Sequence, residues 1–103
     1  MSRTVLVMAE KRNGNLRNVS FEVLAAGRKA AAGGKVVAVL FGESTPEDAE
    51  ALARYGADQV YLAGHEKLRE YTPDAYSQAL RQVIQAVSPD VIFLGHTAIG
   101  KDL

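Results

Sequence analysis

The residues best able to do chemistry lie at the end of the chain, in Gly95-x-x-x-x-Gly100-Lys101-Asp102, with His96 and Thr97 inside the interval. A glycine-framed loop ending in lysine, set between a strand and a helix, can cradle phosphates with backbone N–H groups and steady their charge through the lysine. In a true phosphate loop the next residue supplies a hydroxyl that ligates Mg²⁺. Asp102 stands there instead and brings a carboxylate to where phosphates would lie. The plainer reading is that Gly95 makes a tight turn and the following residues open a helix. Gly95, His96, Thr97, Gly100 and Lys101 are kept as candidate ligand contacts only.

The other chemistry-bearing residues are scattered. His65 and His96 fall in different loops, with no cysteine and no neighbouring acid pair to complete a metal set. Ser20, Ser44 and Ser77 lack the Gly-x-Ser-x-Gly setting of an activated nucleophile. Glu10 follows the first strand, a common place for functional acids, but one acid without a partner does not make acid–base chemistry. Ala9 to Gly14 contains one glycine, so the glycine-rich dinucleotide turn is missing. These residues supply a scaffold, and no catalytic activity or metal is expected of them.

Composition narrows the class further. The 103 residues allow one domain, and 48% hydrophobic content is enough for a core. Twelve basic residues balance twelve acidic ones, which argues against a nucleic-acid partner. The lack of cysteine fits a reducing compartment. No apolar run reaches the length of a membrane span, and Met1-Ser2-Arg3 leads straight into a strand without a targeting peptide. A cytoplasmic protein without membrane insertion is expected.

Four apolar runs alternate with three helical patterns. Thr4–Ala9 and Val36–Phe41 are continuous and β-branched, as parallel strands covered on both faces should be. Glu10–Asn18 reads as a loop; its Asn13-Gly14 pair can also mark a hairpin turn. A helix is expected over Glu22–Ala32, with Phe21, Leu24, Arg28 and Ala31 at helical spacing, Asn18 or Ser20 as cap, and Gly33-Gly34 as its end. Thr45-Pro46-Glu47-Asp48 combines a capping hydroxyl, an N1 proline and first-turn acids. Ala49, Leu52, Ala53 and Gly56 form that helix's small apolar face.

Gln59–Ala63 is shorter and partly polar, suited to a sheet edge. Thr72-Pro73-Asp74 repeats the cap signal after a polar connection, Gly64–Tyr71. Tyr76, Leu80, Val83, Ile84 and Val87 trace the third helix, which Ser88-Pro89-Asp90 stops before the fourth strand, Val91–Leu94. This alternation predicts a doubly wound parallel α/β sheet of order 3-2-1-4, Rossmann-like, with a truncated last helix. Ligands of such sheets bind at the carboxyl ends of the strands, where the winding reverses. The loops Glu10–Asn18 and Gly95–Lys101 flank that point.

Val5-Leu6-Val7-Met8-Ala9-Glu10, Gly14-x-Leu16 and the helix led by Phe21 resemble the start of the electron transfer flavoprotein alpha subunit. So do Ala53-Arg54-Tyr55-Gly56-Ala57-Asp58-Gln59-Val60 and Pro89-Asp90-Val91-Ile92-Phe93-Leu94-Gly95, and the ending Gly95–Leu103 looks like that family's strand-to-helix segment. The match covers the whole chain in order. It implies an adenine-nucleotide-hydrolase-like α/β domain, residues 1–103, forming the N-terminal part of a longer two-domain subunit. The family is an αβ heterodimer that carries electrons through FAD from flavoprotein dehydrogenases, such as acyl-CoA dehydrogenases of fatty acid β-oxidation, to a quinone oxidoreductase. The resemblance places FAD mainly in a C-terminal domain absent from this chain and AMP in the beta subunit. No FAD residue carries over to this sequence.

The alternative is a standalone nucleotide-binding domain like a universal stress protein. Such proteins place Gly-x-x-Gly-x(9)-Gly-Ser/Thr after the fourth strand, and the Gly95-to-Gly100 interval does not match its beginning. A hydrolase of the same superfamily would need paired catalytic residues that this chain lacks. The truncated sheet, with an uncovered fourth strand, is also expected to self-associate, by pairing fourth strands or exchanging terminal helices.

Overall fold

A computed structural model describes residues 3–12, 15–42, 45–63 and 73–95. Four strands form one parallel sheet: β1 (Thr4–Ala9), β4 (Lys35–Phe41), β5 (Gln59–Ala63) and β6 (Val91–Phe93), in the order β5-β4-β1-β6. Counting only these four, this is the expected 3-2-1-4. Two further strands, β2 (Lys11–Arg12) and β3 (Asn15–Leu16), pair antiparallel as a separate ribbon. The stretch expected as a loop therefore holds this antiparallel ribbon, and Asn13-Gly14, between its two strands in sequence, lies outside the described residues.

Alternation along the buried strands sorts the core into two faces. Val5, Val7, Ala9, Val36, Ala38 and Leu40 point toward helix α1 (Asn18–Ala31) and helix α2 (Pro46–Arg54), where Leu24, Ala31 and Leu52 meet them. Leu6, Met8, Val37, Val39 and Phe41 point the other way, toward helix α3 (Pro73–Val87). The α3 stripe is as expected: Tyr76, Leu80, Val83, Ile84 and Val87 all pack on that face.

The other helices depart from expectation in detail. α1 starts at Asn18, four residues early, and neither Asn18 nor Ser20 caps it; Arg17 is the N-cap and makes no side-chain cap bond. Its buried stripe is Ser20, Leu24, Gly27 and Ala31, while Phe21 and Arg28 sit only half-buried at its flank. Gly27 lets α1 lie close on the sheet, since a Cβ there would come 2.8 Å from a Val7 methyl. Ala32 takes the left-handed conformation that ends the helix, followed by Gly33 at φ 86°.

α2 opens as expected, with a complete capping box between Thr45 and Asp48 and Pro46 in the first turn. Of its expected apolar face only Leu52 is buried, and Ala53 is exposed. Gly56, at φ 126°, closes the turn after it. β6 ends at Phe93, one residue short of the expected strand. The Gly64–Tyr71 connection, the Thr72 cap and the truncated last helix lie outside the described residues.

Candidate functional site

The carboxyl ends of β1 and β4 bring together the residues that could form a site, and the first is Glu10. Ser20, on the first turn of α1, brackets its backbone: the Glu10 N–H donates to Ser20 Oγ at 2.8 Å and Ser20 Oγ donates to the Glu10 carbonyl at 3.0 Å. Arg17 N–H also donates to that carbonyl, at 2.8 Å. The serine singled out as a failed nucleophile is thus a buried clamp. Removing its hydroxyl leaves the buried Glu10 N–H without this acceptor. Ser20→Ala is expected to cost about 1–3 kcal/mol in a urea titration, with Ser20→Thr less harmful if the methyl fits.

The Glu10 side chain is almost fully buried and lies 3.6 Å from the Arg17 guanidinium. Its charge also reaches Tyr76. Burial, with Glu10's charge second, pushes the Tyr76 phenol above its ordinary value. Tyr76 packs edge-on against Phe41 with ring centroids 5.3 Å apart, so it belongs to the core, as expected.

Lys11, the next residue, ties the hairpin to α2. Its ammonium lies 2.7 Å from Asp48 Oδ2, with side-chain exposures of only 14% and 12%. The same carboxylate oxygen accepts the Thr45 N–H at 3.0 Å, so one acid holds both the hairpin and the helix cap. Burial alone would raise the Asp48 pKa, but the Lys11 ammonium and the Thr45 backbone together hold it below the ordinary value.

At the opposite end of the sheet Asp58 is also held low, first by the Val36 N–H and then, against a burial cost, by Arg28. An acid whose folded pKa is depressed contributes stability above its unfolded pKa, which is lost as pH falls through the folded value. Stability is therefore expected to hold down to about pH 4 and to fall below it. Asp48→Asn should flatten that fall in an acid titration followed by circular dichroism.

Of the candidate ligand contacts, only Gly95 is described: it is buried just beyond β6. His96, Thr97, Gly100 and Lys101 lie outside the described residues, as do His65, Tyr71 and Asp102. Among the described residues no group of three or more His, Cys, Asp or Glu is placed to hold a metal ion. No described helix is long and apolar enough to cross a membrane.

A family model described as "Electron transfer flavoprotein domain" matches residues 5–103. The chain belongs to the electron transfer flavoprotein family. It is 50% identical over its whole length to an electron transfer flavoprotein subunit alpha from Bacillus subtilis, covering 32% of that protein. It is 43% identical to an acryloyl-CoA reductase electron transfer subunit beta from Anaerotignum propionicum, over 98% of this chain and 28% of the relative. Protein FixB of Azotobacter vinelandii is 38% identical over 98% of this chain and 29% of its own length. The resemblance to the alpha-subunit N-terminal domain is upheld, and the chain spans about a third of the length of the curated relatives it matches.

Among the described residues of the first strand-to-helix connection of this electron transfer flavoprotein domain, the Glu10 amide is already engaged. Phosphates at such a turn need free amides and glycines. Here the Glu10 amide is taken by Ser20, and the Glu10 side chain is itself buried beside it. The ion pairs that fix this end, Glu10–Arg17 and Lys11–Asp48, instead hold the hairpin in one position.

Proposed function

We propose that this chain is the N-terminal structural and subunit-assembly domain of an electron transfer flavoprotein alpha subunit. The observation that carries this reading is the family match over residues 5–103 together with 50% identity to an alpha subunit along the whole chain. The geometry supports it. A parallel sheet with helices on both faces is a firm base, and the Ser20 bracket and the Lys11–Asp48 pair fix a hairpin at its carboxyl end.

In this reading the parent is a heterodimer with an electron transfer flavoprotein beta subunit. FAD sits in an alpha-subunit domain outside this chain, and AMP sits in the beta subunit. The bound flavin supplies the one-electron chemistry, and the residues of this chain contribute position only. Electrons enter from flavoprotein dehydrogenases, such as acyl-CoA dehydrogenases, and leave to a quinone oxidoreductase, with the heterodimer working in the cytoplasm. Subunits of this family are electron carriers, and this domain's task is assembly.

The test is co-expression of the tagged chain with the beta subunit of the same organism. A one-to-one complex that retains AMP but shows no flavin absorbance is the expected result. Failure to form the complex would overturn the proposal. So would micromolar binding of ATP or AMP by the chain alone, the behaviour of a universal-stress-type domain.

A further inference from the structure

β5 lies outside β4 at the end of the four-stranded sheet, so among the described residues its second row of backbone N–H and C=O groups faces no strand. Exposed edges are normally blocked by a lysine, a proline or a bulge. Gln59-Val60-Tyr61-Leu62-Ala63 carries no charge and no proline. Its register with β4 runs unbroken from Val37↔Gln59 to Phe41↔Ala63, which leaves no bulge. Tyr61 and Leu62 are 40% and 41% exposed, and as successive strand residues they stand on opposite faces.

This edge is its own complement. A two-fold axis through Tyr61 sets the strand antiparallel to a second copy of itself, with Tyr61 facing Tyr61, Val60 facing Leu62 and Gln59 facing Ala63. No like charges meet; Val60 meets Leu62 on one face and Tyr61 meets Tyr61 on the other. A slip of one residue destroys both the symmetry and this matching. The other edge strand, β6, is only three residues long, although its Ile92 is 39% exposed.

We infer that the β5 edge is a homodimerisation surface, occupied by the β5 edge of a second copy in one continuous sheet. Five strand residues extend about 17 Å and bury far less than the ~1,200 Å² of a stable interface, so the dimer is weak, with a Kd on the order of 100 μM. This inference is independent of the assembly reading above. It moves self-association from the fourth strand, where the sequence suggested it, to the third.

Sedimentation of the full chain from about 10 to about 500 μM should show a dimer fraction rising with concentration. Tyr61→Lys and Leu62→Lys should each weaken the association at least about tenfold, while Ile92→Lys leaves it unchanged. A monomer throughout the range, or a dimer indifferent to Tyr61→Lys and lost with Ile92→Lys, would overturn the inference. Should the lysine variants not fold, hydrogen exchange on the unaltered chain decides. β5 amides must gain protection with concentration, and concentration-independent exchange there overturns it equally.

Discussion

Gly34→Ala should destabilise the domain by about 3 kcal/mol or more, although it adds a single methyl. Gly34 sits where the end of α1 and the starts of β1 and β4 cross. Its N–H donates to the Ala31 carbonyl at 2.9 Å, and the next amide, of Lys35, donates to the Arg3 carbonyl at 3.0 Å. A Cβ at Gly34 would overlap the Arg3 carbonyl oxygen and come within 2.5 Å of the Arg3 nitrogen.

Those obstacles are backbone, so no side chain can turn aside to relieve them. The two central strands would have to part at their first paired residues, Thr4 and Lys35. Gly33 is the internal control: a Cβ there meets nothing within 4 Å, and only its positive φ opposes alanine. Gly33→Ala should therefore cost only about 1 kcal/mol. Urea unfolding of both variants would separate the two effects. Equal midpoints would show that the crossing at Gly34 has slack.

The second large effect is expected from Leu24→Ala, at about 3 kcal/mol within the 2–5 kcal/mol range for truncating a buried leucine. Leu24 is fully buried and lies in the cluster that joins α1 to β1 and β4. Backbone neighbours on a parallel sheet can collapse little into the space it leaves, so the cavity term should survive. Set against a total stability of about 5–15 kcal/mol, the loss is large enough to read as a drop in melting temperature of roughly 4–8 °C per kcal/mol. Tyr55→Ala is the contrasting change: Tyr55 is 58% exposed, with its ring tilted against Phe21 at a centroid distance of 4.3 Å. A loss for Leu24→Ala no larger than for Tyr55→Ala would contradict the close packing described for this face.

The fold was legible because its central strands are written plainly. Val5-Leu6-Val7 and Val36-Val37-Ala38-Val39 are apolar without alternation and rich in β-branched residues, the pattern of strands covered on both sides. The α2 cap was equally legible, since Thr45, Pro46 and Asp48 each act locally. The hairpin was not: strands of two residues carry no periodicity, and only Asn13-Gly14 hinted at it. The start of α1 was hidden because Ser20, a natural cap, is used across the fold on Glu10 instead.

The site was legible only in part. Glu10 was picked out by its place after β1, but its pairing with Arg17 depends on the hairpin. Lys11 and Asp48 are 37 residues apart, a contact that no local pattern announces. Tyr61 drew no notice in sequence because a tyrosine in a strand is ordinary. The edge position of this strand was expected; the 40% exposure of Tyr61 is what gives the residue weight.

Thr4 and Asp90 exchange two hydrogen bonds, the Thr4 N–H to Asp90 Oδ2 and the Asp90 N–H to the Thr4 carbonyl, both at 2.8 Å, across 86 positions of sequence. This bracket sets a timetable for synthesis. β1, α1 and β4 can close on one another as soon as about the first forty residues have left the ribosome, because their contacts are near in sequence. The face of Leu6, Met8 and Val37 must wait for α3, and β1 keeps one side open until Val91–Phe93 emerges. The nascent chain therefore carries a half-roofed sheet through the middle of its translation. During that interval its uncovered apolar face is the part of the chain most open to aggregation.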